Sequence, residues 1–341
     1  MKGITFGDYH SFRDFRLILS PNNAIGTPTP KYELIDIPGG DGVLDVTEAF
    51  GEVKYGNRPM SFEFSTMVPQ SEFMTLFSRV QNALHGQKLQ IILDDDPDCY
   101  YIGRLTVSEW KADRLIGKLT IDCDCEPYKY RLSSQTISLT GANLINIDDG
   151  IIADEGVWTK DATGYTFTRR TGTGGSFVHW VIPVKKGQQY IFSAKGTSTT
   201  RLLYVYKDKL YGDLVTKEGS ERPCIFVAEK SGLYVFGIYV TSQATAGTFS
   251  DIMLQEGNTI GAYEAYDTAE REVTAVFSNV RKPAVPTAYV TGNIEMQSAS
   301  NAQVLSQGVN SLDSFVFRQG ETTLTFKGNG YAVIEWLERG L

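Results

Sequence analysis

The sequence predicts a mainly β protein built from more than one domain. Thirty-three glycines, 18 tyrosines and 18 phenylalanines accompany many short stretches in which apolar and polar residues alternate. This alternation is typical of half-buried strands separated by turns. With 341 residues, of which 42% are hydrophobic and 21% charged, the chain has enough apolar material for two or three cores. These proportions exclude disordered, collagen-like and coiled-coil proteins.

Residues 1–132 form the first predicted domain, and one amphipathic helix interrupts its strands. We expect Ser71 to be the N-cap, Gly86 to end the helix and His85 to lie in the last turn. The apolar stripe of this helix consists of Phe73, Leu76, Phe77, Val80 and Leu84. Strands are predicted at 60–65, 89–93, 100–110 and 119–125, with a turn at 94–98.

Near Ser133 the composition changes to one rich in Ser, Thr, Gly and aromatic residues, and this change predicts two further β regions. Residues 142–267 are expected to form a sandwich of two antiparallel sheets. Its predicted strands are Tyr165–Arg169, Phe177–Val184, Tyr190–Ala194, Arg201–Lys207, Gly232–Tyr239 and Thr248–Leu254. The last region is short for an independent sandwich, so it is expected to combine 133–141 with 268–341, which makes 142–267 an insertion. Its predicted strands are Gln135–Leu139, Ala288–Val290, Asn293–Gln297, Ser314–Phe317, Thr322–Phe326 and Ala332–Leu337.

Composition gives expectations about location and about excluded ligands. No apolar run reaches the roughly 18 residues of a membrane span, and the first residues lack the pattern of a secretion signal. The four cysteines form neither a disulfide framework nor a C-x-x-C pair, so we expect folding in a cytoplasm and interpret Cys123 and Cys125 as core thiols. A formal charge of -8 predicts no specific nucleic-acid binding.

Catalytic and metal motifs are missing from the sequence. The three histidines, His10, His85 and His179, are dispersed, and neither G-x-S-x-G nor H-E-x-x-H occurs. The aspartates at 94–98 include Pro97 and do not fit a calcium loop, and Gly172–Gly175 is expected to be a hairpin. We therefore assign no catalytic residue, no cofactor and no metal site, and predict that the protein is not an enzyme. Paired carboxylates of a glycoside hydrolase remain an open alternative, because any two of the 40 acidic residues can converge.

Aromatic residues are dense in the inserted segment. A flat aromatic ring stacks on the apolar C–H face of a sugar, while polar neighbours bond its hydroxyls. Tyr204 and Tyr206 share one strand face with Leu202, which favours burial, and most of the aromatics are expected in the core. The candidate carbohydrate-binding residues are Trp158, Trp180, Tyr165, Tyr206 and Tyr239.

Five motifs in order make the first 130 residues resemble the N-terminal domain of the distal tail protein family of siphophages that infect Gram-positive bacteria. They are F6-G-D-Y-H-S-F-R-D-F15, I37-P-G-G-D-G-V-L-D45 with Y55-G-N-R58, the helix ending A83-L-H-G86, L93-D-D-D-P-D-C-Y-Y-I-G-R104, and D122-C-D-C-E-P-Y-K-Y130. The end of the chain, with S306-Q-G-V-N310 and G320-E-T-T-L-T-F326, looks like the galectin-like sandwich that closes such proteins. The segment between them resembles an inserted jelly-roll carbohydrate-binding module through K185-K-G-Q-Q-Y-I-F-S-A194 and I252-M-L-Q-E-G-N-T-I-G-A-Y263.

The resemblance implies a structural hub of the virion at the tail tip, or baseplate. Copies would close into a hexameric ring that joins the tail tube protein to the tail-associated and receptor-binding proteins, with DNA passing through the lumen. The inserted module would bind host cell-wall saccharide. Ser20–Pro30 is a candidate loop for reaching a neighbouring copy, with a plain flexible loop as the equal alternative. A free lectin and, less favoured, a glycoside hydrolase are the alternative functions.

Overall fold

The protein is mainly β and of the sandwich type, as the sequence predicts. A computed structural model describes residues 2–49, 51–112, 116–154, 157–161, 164–169, 175–197, 201–219 and 222–341. The chain divides into two compact units. Unit 1 contains Met1–Leu132, Val280–Lys282 and Glu338–Leu341, and unit 2 contains Ser133–Asn279 and Pro283–Leu337.

Unit 1 holds twelve strands among the described residues, the last of which, β12, continues into unit 2. They are β1 (Ile4–Phe6), β2 (Tyr9–His10), β3 (Ile18–Ile25), β4 (Pro30–Lys31), β5 (Leu34–Asp36), β6 (Val43–Asp45), β7 (Lys54–Tyr55), β8 (Arg58–Thr66), β9 (Lys88–Leu93), β10 (Cys99–Ala112), β11 (Gly117–Cys125) and β12 (Lys129–Ser138). Seven of them form an antiparallel sheet in the order β2-β1-β9-β10-β11-β8-β3. Two helices, α1 (Ser11–Phe15) and α2 (Phe73–Leu84), accompany the strands.

Helix α2 confirms the predicted apolar stripe, while its first turn differs from the prediction. Phe73, Leu76, Val80 and Leu84 are buried, and Phe77 packs against Trp110 at a ring distance of 5.4 Å. Burial of such a side chain contributes about 1.5–3 kcal/mol.

Ser71 is not the N-cap. It lies in a 3₁₀ turn, Gln70–Glu72, that begins after Pro69, and the residue that precedes α2 makes no side-chain cap. Gly86 ends the helix at φ +75°, as expected. His85 does not lie in the last turn: it follows Leu84 as the C-cap in an extended conformation, and its Nδ1 accepts the Val107 N–H at 3.1 Å.

Residues of the five motifs in unit 1 hold its backbone through hydrogen bonds. The ring of His10 caps α1 by accepting the N–H groups of Phe12 and Arg13, and its Nε2 lies 3.2 Å from Asp94 Oδ2. Arg58, only 6% exposed, donates to the carbonyls of Gly26 and Pro127. The contact of His10 with Asp94 and the bonds of Arg58 join segments that are distant in sequence, so these motifs hold the sheet of unit 1 together.

The turn that carries four aspartates is held by hydrogen bonds and ion pairs. Asp94 accepts the Gly3 N–H at 2.7 Å, and Asp95 pairs with Lys2. Asp96 pairs with Lys129, whose hydrogen bond lowers the pKa of that carboxyl. The prediction of a turn at 94–98 is therefore confirmed.

Unit 2 contains the remaining strands. They are β13 (Ile151–Asp154), β14 (Val157–Lys160), β15 (Gly164–Thr168), β16 (Ser176–Val184), β17 (Gln189–Gly196), β18 (Arg201–Lys207), β19 (Leu214–Gly219), β20 (Cys224–Val227), β21 (Gly232–Val240), β22 (Ala246–Glu256), β23 (Arg271–Asn279), β24 (Thr287–Gln297), β25 (Ala302–Leu305), β26 (Gly308–Ser311) and β27 (Gly320–Gly340), the last of which ends in unit 1. Six of these strands match predictions in the inserted segment, whereas β13, β14, β19 and β20 were not predicted. The hairpin expected at Gly172–Gly175 falls, except for Gly175, outside the described residues.

Two five-stranded antiparallel sheets build the predicted sandwich. Their orders are β13-β16-β21-β18-β19 and β14-β15-β22-β17-β20. Side chains of both sheets fill one core that includes Trp180, Phe192 and Phe236. Tyr331 and Val333 of β27 also belong to this core, so the inserted segment shares its interior with the C-terminal strand.

A second core of unit 2 lies among the C-terminal strands and includes Ile137 and Leu139. Strands β23, β27 and β24 lie side by side, with β25 and β26 beyond β24. The two predictions within β24, and likewise those at Thr322–Phe326 and Ala332–Leu337, fall on single longer strands. Ser314–Phe317 is not a strand: Phe317 forms an isolated bridge with Ala284.

The two ends of segment 142–267 meet through one buried amide. Asn143 is fully buried, and its Nδ2 donates to the carbonyls of Ile252 and Glu264 at 3.0 and 3.1 Å. Its Oδ1 accepts the N–H groups of Ile145 and Leu254. All four hydrogen-bonding positions of the Asn143 amide are thus used, and they join the start of this segment to its end.

Two features are absent from the described part of the chain. None of its helices has the length and apolar character needed to cross a membrane. No group of three or more His, Cys, Asp or Glu side chains there is arranged to hold a metal ion. Cys123 and Cys125 are buried free thiols.

Candidate functional site

Three of the predicted carbohydrate-binding residues lie in the core of the sandwich. Trp158, Tyr165 and Trp180 are 8%, 3% and 1% exposed. Trp158 donates its indole N–H to Ser176 Oγ at 2.7 Å, and the Tyr165 hydroxyl donates to the Ile147 carbonyl at 2.7 Å. Burial raises the pKa of Tyr165 to about 12. Their rings fill the interior and offer no free face to a ligand.

The other two predicted residues, Tyr206 and Tyr239, lie on the outer side of the sheet that contains β16, β21 and β18. Alternation decides this: Leu203 and Val205 of β18 face the core, so Tyr204 and Tyr206 face outwards. We name the cluster of Phe177, Tyr204, Tyr206, Tyr211 and Tyr239 the aromatic face.

The strand register places these rings side by side. Tyr239 is opposite Phe177 on one side and opposite Leu202 on the other. Two residues before Tyr239 in β21, Gly237 lies between His179 of β16 and Tyr204 of β18. A Cβ at Gly237 would lie 3.2 Å from the Phe177 ring, so the lack of a side chain there lets this ring settle over the middle strand.

Ring contacts make the aromatic face one continuous surface. Phe177 is nearly buried at its centre, with ring distances of 4.6 Å to Tyr239, 5.7 Å to Tyr204 and 5.4 Å to Tyr211. Tyr204 and Tyr206 stack in parallel at 5.5 Å, with an interplanar angle of 4°. Tyr204 and Tyr239 are half-buried, whereas Tyr211 is 60% exposed.

The loop that carries Tyr211 is held in an unusual conformation. Both Asp208 and Tyr211 have a backbone φ of +62°, which residues other than glycine seldom adopt. Gly212 follows in close contact with the backbone, because a Cβ there would lie 2.4 Å from the Lys207 carbonyl oxygen. Backbone strain of this kind costs roughly 1–3 kcal/mol per residue and concentrates at ligand sites.

The aromatic face has the chemistry of a neutral, hydroxyl-rich ligand site. Burial raises the pKa values of Tyr204 and Tyr206, so both hydroxyls keep their protons. Tyr206 is only 9% exposed, and Tyr204 is the more accessible donor of the two. Lys217 of β19 is exposed beside Tyr204 in the sheet register. Rings for stacking and donors for hydroxyls therefore lie on one surface.

A second exposed feature belongs to unit 1 and consists of residues 30–49 and 51–55, which we name the arm. Strands β4 and β7 pair at its base, and β5 and β6 form a hairpin further out. All residues of β5 and β6 are exposed. The exposed large apolar side chains of the arm are Tyr32, Leu34, Ile35, Ile37, Val43 and Leu44.

The base of the arm is fixed, in contrast to its apolar hairpin. Lys282 donates to the Glu52 carboxylate, and Arg281 donates to the Tyr55 hydroxyl while its guanidinium lies 5.1 Å from that ring. The hydrogen bond from Lys282 lowers the pKa of Glu52. A two-stranded hairpin alone is marginally stable in water, so an apolar hairpin on a fixed base is suited to pack against another molecule.

The arm replaces the segment that the sequence suggested for such a contact. Ser20–Ile25 belongs to β3 and pairs with β8, and the extension starts only at Pro30. The arm has no clear signal in the sequence, because the adjacent apolar residues Leu34-Ile35 and Val43-Leu44 do not follow the alternating pattern of a half-buried strand. The sequence shows only that this segment is rich in aromatic residues. The shared face of Phe177 and Tyr204 follows from the strand register, and Tyr211 joins it through ring contacts.

The similarity of this chain to known proteins is distant. No family model and no curated protein sequence matches it. Among solved structures, the SPP1 Dit protein, described as a paradigm of hub adsorption apparatus in phages infecting Gram-positive bacteria, aligns over 100% of both chains with 9% identity and a TM-score of 0.39. A triple jelly roll protein of an archaeal virus turret aligns over 92% of this chain and 90% of its own, with 9% identity and a TM-score of 0.16. Likenesses this distant leave the functional assignment to the residues of the chain itself.

Proposed function

We propose that the protein is a structural hub of a phage tail tip, whose unit 1 closes into a hexameric ring and whose inserted segment binds host cell-surface saccharide. The exposed apolar arm is the observation that carries this proposal. Six large apolar side chains on one hairpin would remain in water in a monomer, whereas a contact between subunits would bury them.

The five ordered motifs of unit 1 support the same assignment through their resemblance to distal tail proteins. A ring also needs a heterologous contact, in which different surfaces of neighbouring copies meet. The arm supplies one such surface. The tail tube protein, the tail-associated protein and the receptor-binding proteins are the partners that the proposal implies.

The mass of the purified chain in solution tests the ring. We expect particles of six times 37.8 kDa and rings in negative-stain images. Replacing Leu34, Ile35 and Leu44 with serine should yield monomers, because the subunit contact loses its apolar surface. Replacing Val304 and Val309, which are 74% and 63% exposed in unit 2, should leave the ring intact. A wild-type chain that stays monomeric at high concentration contradicts the proposal.

The aromatic face is the proposed saccharide site, in place of the buried tryptophans. Tyr211 offers an exposed ring, and the hydroxyls of Tyr204 and Tyr239 can bond to sugar hydroxyls. Six linked copies would raise avidity, so a weak single site is compatible with firm adhesion.

Point variants are better suited to test this site than removal of 142–267, since that deletion would expose Tyr331 and Val333. We expect Tyr211→Ala and Tyr204→Ala each to weaken binding of a cell-wall polysaccharide preparation about tenfold, the effect of losing one stacking contact of about 1–1.5 kcal/mol. Val227→Ser is the control, because Val227 is 55% exposed on the opposite sheet. Unchanged binding by both tyrosine variants refutes this site.

Catalysis has no part in the proposal. Incubation of the chain with the same polysaccharide should release no new reducing ends, because the aromatic face provides rings and hydroxyls but no pair of opposed carboxylates. Sustained release would favour a glycoside hydrolase. Binding without any ring would favour a free lectin.

A further inference from the structure

Unit 1 has an open apolar groove that the proposed ring does not yet explain. The groove has a volume of about 680 Å³ and lies between α1, the start of β3 and the segment that leads into α2. Its apolar lining includes Phe12, Ile18, Met67, Val68 and Leu76. The Met67 side chain is 78% exposed, so this part of the apolar lining is open to solvent.

Two arginines give the groove a positive rim. Arg79 is fixed, because it donates to the Asp14 carbonyl at 2.8 Å and its guanidinium lies 5.7 Å from the Phe15 ring. Arg16 ends α1 in the left-handed conformation at φ +58°, with its side chain exposed. Glu72 is the single acidic residue of the lining.

The arm has the opposite charge and a matching apolar character. Residues 32–49 contain no lysine or arginine. Their acidic residues are Glu33, Asp36, Asp41, Asp45 and Glu48. Each strand of the hairpin has two apolar residues followed by an aspartate, Leu34-Ile35-Asp36 in β5 and Val43-Leu44-Asp45 in β6. The register pairs Ile35 with Leu44 on one face and places both aspartates on the other, so the arm can fill an apolar groove while its carboxylates reach a basic rim.

We propose that the arm of one copy docks in the basic-rimmed groove of a second copy. This inference rests on the proposed ring and names the two surfaces that form it. Because arm and groove are different surfaces, each copy gives one and receives one, and the contact is heterologous. Such a contact propagates from copy to copy and closes when the rotation between neighbours allows it.

Charge reversal on either surface, and on both together, tests the proposal. The groove variant carries Arg16→Glu and Arg79→Glu, the arm variant carries Asp36→Lys and Asp41→Lys, and a third chain carries all four changes. Sedimentation velocity over a range of concentrations measures self-association of each full-length chain. Lys111→Glu serves as the control, because Lys111 is exposed in unit 1 and does not line the groove.

We expect the groove variant and the arm variant each to associate at least tenfold more weakly than the wild type, while the control is unchanged. The four-change chain should recover association to within about threefold, because the charges again match. Arg16→Glu alone is the second groove variant, since Arg79 also bonds within its own chain. Thermal unfolding verifies that each variant is folded.

The possible failures are distinguishable. A monomeric wild-type chain overturns the proposed ring and this inference with it. Wild-type rings together with unimpaired groove variants overturn this inference alone. So does a folded four-change chain that fails to recover association, because complementary charge then does not govern the contact.

Discussion

Replacing Tyr331 with phenylalanine should loosen the inserted sandwich, although Tyr331 lies on the C-terminal strand. This side chain is 1% exposed in the core of the inserted segment. Its hydroxyl donates to the Glu256 carboxylate and lies 3.2 Å from the hydroxyl of Tyr190, which in turn accepts the Lys185 N–H at 2.9 Å. Burial raises the pKa of Tyr331 strongly, so the hydroxyl keeps its proton throughout the working pH range.

The size of the effect follows from the partner of the hydroxyl. A hydrogen bond to a charged group contributes about 1.5–3 kcal/mol, and removal of the hydroxyl also takes one partner from the buried Tyr190 hydroxyl, while the exposed Glu256 carboxylate is hydrated instead. We expect a loss of about 2 kcal/mol in the free energy of unfolding of unit 2. Because 1.4 kcal/mol corresponds to a factor of ten, this loss predicts roughly 30-fold faster amide exchange for the core strands β16 and β21.

Hydrogen exchange followed by mass spectrometry resolves these strands from unit 1. Tyr289→Phe is the matched control, because the Tyr289 hydroxyl is half-buried and reaches Glu335 only at 3.4 Å. That change should alter exchange about twofold or less, corresponding to at most ~0.5 kcal/mol. Equal effects of the two variants would refute the reasoning, since the buried network would then contribute nothing beyond an ordinary surface bond.

Two further predictions concern unit 1. Hydrogen bonds from the Lys88 ammonium and, second in size, from the Tyr130 hydroxyl lower the pKa of Glu126. The ionised carboxylate therefore stabilises the fold above its unfolded pKa of about 4.3, and this stabilisation is lost as the pH falls through the lower folded pKa. At pH 7 the free energy of unfolding of Glu126→Gln should therefore be lower than that of the wild type by up to about 1 kcal/mol, whereas at low pH the two proteins should be equally stable. A difference that stays constant at every pH would contradict this. Gly103→Ala should destabilise unit 1 by about 1–3 kcal/mol in denaturant unfolding, because the added Cβ would lie 2.5 Å from Cys125 Sγ. Gly56→Ala is the control and should be neutral, because its Cβ would lie 3.6 Å from the nearest atom, the Thr29 carbonyl oxygen.

The sequence alone was sufficient for features that depend on local periodicity. The stripe of α2 and the alternation of Met60, Phe62 and Phe64 in β8 specify which side is apolar, and the apolar side is the one that becomes buried. The left-handed turn at Gly86 is likewise a local property, because glycine adopts positive φ without steric cost.

Features that depend on pairing between distant segments required the tertiary structure. Alternation shows that Tyr204 and Tyr206 share a face, but the core lies on the other side, because Leu203 and Val205 pack against the second sheet. The same holds for Trp158, whose indole N–H finds a buried acceptor in Ser176, a partner that no local pattern indicates.

The arm shows the same division most clearly. Its apolar residues alone predict burial, whereas the sequence predicts no strand at the positions of β5 and β6. Only the tertiary structure decided that none of the described residues of the same unit covers them, since burial depends on which other segments come within reach rather than on the residues themselves.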